Sequence, residues 1–286
     1  MTSSREPARN SGSEQPAPIP AAGPHVPGAL HVMTWNVQHA SSRRASQQAA
    51  WITTQSVDIV VLTEVTATDG ERALEEALGG YGFTTSYPVV PGDYGTMIAS
   101  RVGQQETCKE IQASYLPHRC VTIRLHMEGQ VIGVVGLYVP SRGNRDRRNI
   151  DKRAFQNAIA KLLPSLAEII GPDCPTVIAG DLNVVETGHR PHLKVFGAWE
   201  YEFYQAFRDA GYGDAFRCLH PELIDHSWYG RSGNGYRIDH IFCAPLTAVT
   251  DCRYVHQPRL AGLSDHSAMI ATIALPDTER PAQRIS

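Results

Sequence analysis

The chain has 286 residues, of which 42% are hydrophobic, and its formal net charge is −3. This length and hydrophobic content allow a large core in one or two domains. The acidic balance excludes a protein that coats nucleic acid by charge alone, but it is compatible with a local basic groove. The six cysteines are scattered without a Cys-x-x-Cys pair, which excludes a structural zinc site and a dense disulfide framework and suits a reducing compartment.

The two ends of the chain differ in composition from the rest. Residues 1–29 are rich in Ser, Pro, Ala and Gly and poor in large apolar side chains. Such a segment buries too little surface to offset its ordering entropy, so we expect disordered tails over 1–29 and 276–286 around one domain at 30–275. No run approaches the roughly 18 apolar residues of a membrane span, and the N-terminus lacks an apolar signal core. We therefore expect a cytoplasmic monomer that does not contact a membrane.

Apolar runs and helical periodicity alternate through this domain. Helices falling between runs of paired strands favour an α/β sandwich, in which helices cover two packed sheets. In chain order we first predict a strand at Leu30–Val37, a helix at Ser42–Ser56, a strand at Asp58–Glu64 and a helix at Thr68–Leu78 closed by Gly79-Gly80. Five strands follow, at Phe83–Tyr87, Gly95–Ser100, Thr107–Ile111, Cys120–His126 and Val131–Tyr138. The rest of the domain has a helix at Asn149–Ile170, a strand ending at Gly180-Asp181, a helix at Ala198–Ala210, and strands at Ser227–Tyr229, Tyr236–Cys243, Cys252–His256 and Ser267–Leu275.

The strand that starts at Thr176 is the clearest signal in the sequence. Its apolar and small residues lead directly into Gly180-Asp181-Leu182-Asn183, which is typical of a strand buried on both faces that ends with polar side chains. A carboxylate there can take a proton from water, and a carboxamide can hydrogen-bond a phosphoryl oxygen. The same residues also fit a strand that ends in an Asx turn, so the motif alone does not establish a site.

Other predicted strands also end in polar residues: Asn36, Glu64, Tyr138, Asp239 with His240, and Asp265 with His266. Each has a structural explanation as a solvated strand end or a turn. As a set they indicate a site, because strand ends on one edge of an α/β layer converge. Glu64 and Asp265, with the Asn36 amide, would form an oxygen-rich site suited to Mg²⁺ or Mn²⁺. His266, next to a carboxylate, could stabilise charge on a phosphate.

Seven short motifs stand in the order seen in the endonuclease/exonuclease/phosphatase superfamily: Trp35-Asn36, Thr63-Glu64, Tyr138-Val139-Pro140, Gly180-Asp181-Leu182-Asn183, Ser227-Trp228, Arg237-Ile238-Asp239 and Ser264-Asp265-His266. Over about residues 30–275 the chain resembles this superfamily, and within it most resembles the exonuclease III and AP endonuclease branch. The resemblance implies a four-layered α/β sandwich of two packed mixed sheets flanked by helices. It also implies hydrolysis of phosphoesters with a divalent metal.

The resemblance assigns Glu64 as the main metal ligand, with Asn36 and Asp265 close to the metal. Gln38 stands where relatives often have Asp or Asn, and the lost charge puts a second metal position in question.

The resemblance also assigns the catalytic groups. Asp181 would activate or orient the attacking water, and Asn183 would hold the scissile phosphate. Tyr138 would contact the phosphate or the leaving oxygen. Asp239 would orient His266, which would stabilise the pentacovalent centre.

Substrate-binding candidates lie in two segments. Arg142 and Arg145 belong to a segment of six basic and two acidic residues after Tyr138, which could follow a nucleic-acid backbone or could be a solvated loop and helix start. Trp228, Tyr236 and Arg237 could contact a base or sugar, although both aromatic residues could equally be packing. The segment from Trp228 to Asp239 is shorter than in abasic-site enzymes, where it helps to form the lesion pocket.

Three functions remain open from the sequence. The favoured one is a Mg²⁺-dependent nuclease acting on DNA at abasic sites or 3′ ends. The second is an enzyme of the same fold acting on a nucleotide or another small phosphoester. The third is a non-catalytic binder, which the intact acidic and histidine residues of the motifs argue against.

Overall fold

The computed structural model of the chain describes residues 28–88, 90–127, 129–143 and 146–275. In these ranges two six-stranded mixed sheets face each other, and helices cover both outer surfaces. The expected four-layered α/β sandwich is confirmed. Except for Gly28 and Ala29, the tails predicted over 1–29 and 276–286 lie outside the described residues.

The strands are β1 (Ala29–Asn36), β2 (Ile59–Thr66), β3 (Thr84–Ser86), β4 (Tyr94–Ser100), β5 (Gln104–Thr107), β6 (Cys120–Met127), β7 (Gln130–Tyr138), β8 (Thr176–Asp181), β9 (Gly213–Asp214), β10 (Trp228–Tyr229), β11 (Gly235–Tyr236), β12 (Asp239–Ala244), β13 (Val249–Val255) and β14 (Ala268–Ala274). The helices are α1 (Ser42–Thr53), α2 (Asp69–Gly80), α3 (Asp146–Leu162), α4 (Leu166–Ile170), α5 (Ala198–Asp209), α6 (Ala215–Leu219) and α7 (Gln257–Leu260).

The strands β1–β4 belong to the first sheet, β5–β9 and β12 form the second, and β13 and β14 complete the first. The first sheet has the order β13-β14-β1-β2-β4-β3, and the second has the order β5-β6-β7-β8-β12-β9. Only the β1–β2 and β7–β8 pairs are parallel among the described strands. β10 and β11 form a separate two-stranded ribbon.

Three apolar layers hold the sandwich together. The central layer lies between the sheets and contains fully buried β-branched residues such as Val61, Ile123 and Ile241. α1 and α2 cover the first sheet through buried residues such as Trp51 on α1 and Leu74 on α2. α3, α4 and α5 cover the second sheet through residues such as Phe155 and Phe207. Strands that are buried on both faces explain the continuous apolar runs in the sequence.

Several predicted boundaries were wrong. The strand predicted at Thr107–Ile111 lies earlier, because the last backbone bond to β6 in this segment is that of Cys108, and Ile111 turns into the core on the outer face of the second sheet. The long helix predicted to end at Ile170 is interrupted at Leu163–Ser165, where Pro164 has no N–H to donate. α2 continues through the two glycines that were expected to end it. None of the described helices has the length and apolar character needed to cross a membrane.

Candidate active site

Polar side chains from both sheets meet where β1, β7 and β8 end. In the register of the second sheet, Asp181 lies beside Tyr138 on β7 and opposite Asp239 on β12. In the first sheet Asn36 ends β1 next to β2. The structure therefore brings together residues that are far apart in the sequence, at the carboxyl ends of the parallel strands.

Gly180 is required for this arrangement because the backbone of β8 passes very close to β7. Its φ is +151°, and a Cβ there would lie 1.9 Å from the carbonyl oxygen of Leu137. Contact at that distance with a backbone atom cannot be relieved by a side-chain rotation.

Gly180→Ala should lower the free energy of unfolding by at least about 3 kcal/mol, because it adds a backbone clash to an unfavourable φ. Gly188→Ala is the matched control, since Gly188 also has a positive φ (+85°) but open space around it. Urea unfolding of both variants should show the larger loss at Gly180, and equal losses would contradict the clash.

Asp181 is the residue that joins the two sheets. Its Oδ2 accepts a 2.9 Å hydrogen bond from Nδ2 of Asn36, and its Oδ1 accepts one of 2.9 Å from the backbone N–H of Asn183. The Asn183 amide nitrogen donates to the Val139 carbonyl (2.9 Å) and to Asp181 Oδ2 (3.2 Å). Asn183 thus orients Asp181, and to hold a phosphate it must give up one of these bonds.

His266 faces Asp181 from the first sheet and is held by Asp239. Its Nδ1 lies 2.7 Å from Asp239 Oδ2, which leaves Nε2 for a substrate oxygen. Burial alone disfavours the imidazolium, but the charge of Asp239 and its hydrogen bond raise the pKa of His266 to about 10. The ring is positioned from behind, because the His266 backbone N–H donates to Ser264 Oγ and its carbonyl accepts from Trp35 Nε1.

The centre has the chemistry of a divalent-cation site. Among the described residues, Asp181, Asp239 and His266 form a group whose potential ligand atoms all lie within 4.8 Å of one another. Asp239 Oδ1 is buried and has no hydrogen-bond partner among those residues. Burial, together with the charge of Asp239, raises the pKa of Asp181 to about 8. Crowded carboxylates with an unpaired oxygen fit a hard cation, which would offset their repulsion.

Glu64 is turned toward this centre by a β-bulge. The register between β2 and β4 shifts between Thr63 and Val65, and Glu64 has a φ of +58°. Such a bulge redirects a side chain out of the regular alternation. Glu64 Oε1 accepts a 3.0 Å hydrogen bond from the Tyr138 hydroxyl. The structure thus places Glu64 and Tyr138 together at the side of the site formed by β2 and β7.

Unfavourable backbone conformations are concentrated around the site. Gln38, His39, Glu64 and Asn183 have positive φ, and they are four of the six such non-glycine residues in the described part of the chain. Residues in sparsely populated backbone regions are often found at functional sites, where the surrounding structure holds them. Here the His39 backbone N–H donates to the Glu64 carbonyl, and the Gln38 N–H donates to Asn36 Oδ1.

The opposite side of the site is aromatic. Trp228 Nε1 donates a 3.0 Å hydrogen bond to Asp265 Oδ2, and its ring centroid lies 6.3 Å from that of His266 and 5.1 Å from that of Tyr236. Asp265 is exposed and lies on this side, whereas Glu64 lies beside Tyr138. Trp228 and Tyr236 are partly exposed, so substrate contact remains a prediction for both.

The expectation that Arg237 binds substrate is wrong. Its side chain is fully buried and donates hydrogen bonds to Glu186 and Asp214. Arg217 donates two more hydrogen bonds to the same glutamate. Burial alone would raise the pKa of Glu186, but its bonds to Arg217 and the charge of Arg237 lower that pKa to about 2. This buried charge network fixes the loop after Asn183 to α6, behind the site.

The basic segment after Tyr138 is less available than its sequence indicates. Arg142 is one-third exposed and donates a 2.6 Å hydrogen bond to Glu200. Lys152 is completely buried; its ammonium group donates to the same Glu200 and, at 2.7 Å, to the Asn183 carbonyl. Arg145 lies outside the described residues. Part of the predicted local charge is therefore neutralised inside the protein.

Two residues near the centre, Arg119 and His39, were missed from the sequence. The Arg119 guanidinium lies 4.8 Å from the centroid of the Tyr138 ring and is paired with Asp93. His39 Nδ1 lies 3.6 Å from Glu64 Oε2, and its ring packs against Tyr94. Arg119 has no recognisable signal, since it stands in an irregular segment before β6. His39 follows a strand exit and could have been considered on that ground.

Comparison with known proteins agrees with this geometry. A model described as the Endonuclease/Exonuclease/phosphatase family matches residues 33–266. The chain is 24% identical to an exodeoxyribonuclease of Bacillus subtilis (strain 168) over 227 residues, which is 74% of this chain and 86% of that protein.

Solved structures share the fold. An AP endonuclease from Archaeoglobus fulgidus superposes with a TM-score of 0.73 at 21% identity, covering 86% of this chain and 100% of that one. A 3′-5′ exonuclease (NExo) from Neisseria meningitidis gives a TM-score of 0.69 at 22% identity with the same coverage. A structure of the 3′ phosphatase NExo from Neisseria bound to product DNA hairpin gives 0.73 at 21% identity, also with that coverage. The chain thus belongs to the endonuclease/exonuclease/phosphatase family, whose members hydrolyse phosphoesters, and it resembles the exonuclease III and AP endonuclease side of it, as its motifs predicted.

Proposed function

We propose that this protein is a Mg²⁺-dependent nuclease that hydrolyses phosphodiester bonds of DNA, with Mn²⁺ as a possible substitute for Mg²⁺. The observation that supports this most is the position of Asp181, which is held by Asn36 from the other sheet and faces the Asp239–His266 pair. A base on one side and a cationic donor on the other suit in-line attack on a phosphate between them.

The hydrogen bonds support a role for each residue. Asp181 accepts a proton from the attacking water, and Asn183 keeps its carboxylate in position. His266 donates from Nε2 to a phosphate oxygen, and Asp239 fixes its orientation and charge. Tyr138 contributes its hydroxyl on the Glu64 side. A phosphate that enters this crevice is thus contacted from both sheets.

Glu64 and Asn36 would hold the metal on the Tyr138 side of the site, and the exposed carboxylate of Asp265 would add negative charge from the Trp228 side. The bound ion would neutralise charge that develops on the phosphate. Arg142 would contact a neighbouring phosphate with the part of its guanidinium that Glu200 leaves exposed. Trp228 and Tyr236 would contact the sugar or base.

A second function is the hydrolysis of a nucleotide or another small phosphoester on the same centre. The observation that favours it is the internal pairing of Lys152 and Arg142 with Glu200, because it leaves less positive charge for a long DNA backbone.

The two functions differ in substrate and in salt dependence. We would assay the purified chain on abasic duplex DNA, an undamaged 3′-recessed duplex, and a panel of simple phosphomonoesters and phosphodiesters. DNA cleavage should require Mg²⁺, stop in EDTA and fall steeply as salt rises. Glu64→Ala should shift the Mg²⁺ titration to higher concentration.

Each alternative result has a defined meaning. Turnover of small phosphoesters without DNA cleavage would favour the second function. DNA cleavage that persists in EDTA would contradict the metal-dependent proposal, and an unchanged Mg²⁺ titration in Glu64→Ala would remove Glu64 from the metal site.

A further inference from the structure

A shallow, wide-open cavity of about 610 Å³ lies beside the loop that carries His39, the neighbour of Glu64. His39 and Tyr94 line it, together with residues at the starts of α1 and α2. Their rings lie 5.5 Å apart between centroids, and we call this pair the His39–Tyr94 wall. The cavity volume is in the range that accepts a small molecule or a single nucleoside.

The wall is directly connected to the catalytic centre. His39 Nδ1 lies 3.6 Å from Glu64 Oε2, and the Tyr94 ring meets the Tyr138 ring edge-on, with centroids 6.2 Å apart. Both residues are accessible, with 53% of the His39 side chain and 37% of Tyr94 exposed. The loop that carries His39 is held rigidly by its backbone bond to Glu64. These rings therefore form a preformed surface at the edge of the site.

The exposed rings of the lining suit a nucleobase. Apart from His39, the described residues of the cavity lining include no basic side chain. Its two carboxylates, Asp69 and Asp93, are paired with arginines that lie outside the lining. A phosphate would meet only His39 and the N-termini of α1 and α2 there, whereas a nucleobase would also stack on the exposed rings, because every base has a π-face.

A second aromatic surface stands on the opposite side of the centre. Trp228 and Tyr236 form it next to His266, and we call them the Trp228–Tyr236 wall. In the first sheet β14 follows His266 and β4 starts at Tyr94, with β1 and β2 between them. Three interstrand steps of about 4.8 Å place β14 about 14 Å from β4, and the two walls adjoin these strands.

This separation restricts the state of the substrate. Two bases that remain stacked as in duplex DNA, with a stacking contact of about 3.4 Å on each outer face, span only about 10 Å, so the bases that flank one phosphate cannot reach both walls while they remain stacked. They can do so only where the strand is unpaired and its bases are splayed.

We infer that the two walls stack on the bases on either side of the scissile phosphate, and that the preferred substrate is an unpaired strand or a frayed DNA end. This inference depends on the proposed nuclease function for its reaction but makes a separate binding prediction. His39 and Tyr94 are the residues that it adds to the substrate site.

The binding test uses short single-stranded DNA with 2-aminopurine at one position, titrated in EDTA so that no cleavage takes place. Stacking on the wall should quench the fluorescence. Tyr94→Leu and His39→Ala should each weaken binding about 5- to 100-fold and reduce the quenching. Tyr94→Phe, which keeps the ring, should restore binding. Tyr81→Leu is the control, because Tyr81 is similarly exposed (39%) but is not part of the cavity lining.

The cleavage test compares an unpaired 3′ end with a fully paired one in Mg²⁺. The wild type should prefer the unpaired end, and Tyr94→Leu should reduce this preference while its Tm stays close to that of the wild type. Wild-type preference for paired ends, or unchanged binding by Tyr94→Leu, would overturn the inference. Failure of the wild type to cleave any DNA would instead reject the proposed function, since the EDTA titration still reports on the walls.

Discussion

Asp181→Asn should reduce turnover by about 10³-fold or more, because the amide cannot accept a proton from the attacking water. The fold should remain intact, since the substituted side chain has the same shape and position. Asp209→Asn is the control, because Asp209 is an exposed carboxylate on α5. Steady-state kinetics on the best substrate of the panel provide the measurement, and a rate near that of the wild type would show that Asp181 is not the base.

The same variant should change how stability depends on pH in metal-free buffer. The pKa of Asp181 is raised from 3.8 to about 8 in the folded protein, mainly by burial and by Asp239. Between these values the unfolded chain ionises Asp181 while the folded protein keeps it protonated, so wild-type stability falls as pH rises. Asparagine does not ionise. Whatever the lost hydrogen bond costs, the difference in Tm should therefore move in favour of Asp181→Asn as pH rises from about 4 to about 8.

Arg237→Ala should cost about 3–5 kcal/mol of unfolding free energy, which is enough to unfold a marginally stable domain. The substitution removes a fully buried cation and leaves Glu186 and Asp214 facing each other without it. Arg253→Ala is the matched control, since Arg253 is half-exposed and pairs with Asp251 at the surface. Urea unfolding should separate the two, and equal losses would show that the buried network is not required.

The Arg237 network should also make the stability of the fold depend on pH in acid. The folded pKa of Glu186 is about 2, below its ordinary 4.5, so its contribution to stability is present above about pH 4.5 and is lost as pH falls toward 2. In Arg237→Ala this acid-dependent part should shrink. The wild type and variant curves should therefore converge at low pH.

The architecture could be predicted because the apolar residues of the sequence show which strands are buried. Strands covered on both faces require unbroken runs of apolar or small residues, and residues 59–62 and 177–180 form such runs. The polar residues that follow these runs indicated where the site lies, because the carboxyl ends of parallel strands lie at one edge of the sheet. Motif resemblance then supplied roles for Glu64, Asp181 and His266 that periodicity alone could not supply.

Other features depend on contacts that no local pattern shows. Arg237 stands inside a motif and looked like a substrate contact, but its partners Glu186 and Asp214 are 51 and 23 residues away in the chain. Lys152 belongs to the basic segment after Tyr138, but the packing of α3 on α5 places Glu200 beside it and buries the pair. A charge shows its sign in the sequence, whereas its burial is decided by the tertiary fold.

The pairing of β1 with β14 has a practical consequence for handling the protein. Ala29 and Ala274 are direct neighbours in the sheet, and Asn36 at the crevice lies seven positions after Ala29 along β1. At about 3.3 Å per residue, both points of exit lie about 23 Å from the catalytic centre. Affinity tags or fluorescent fusions attached beyond either strand begin remote from the substrate, and a short linker between the two exits would permit circular permutation.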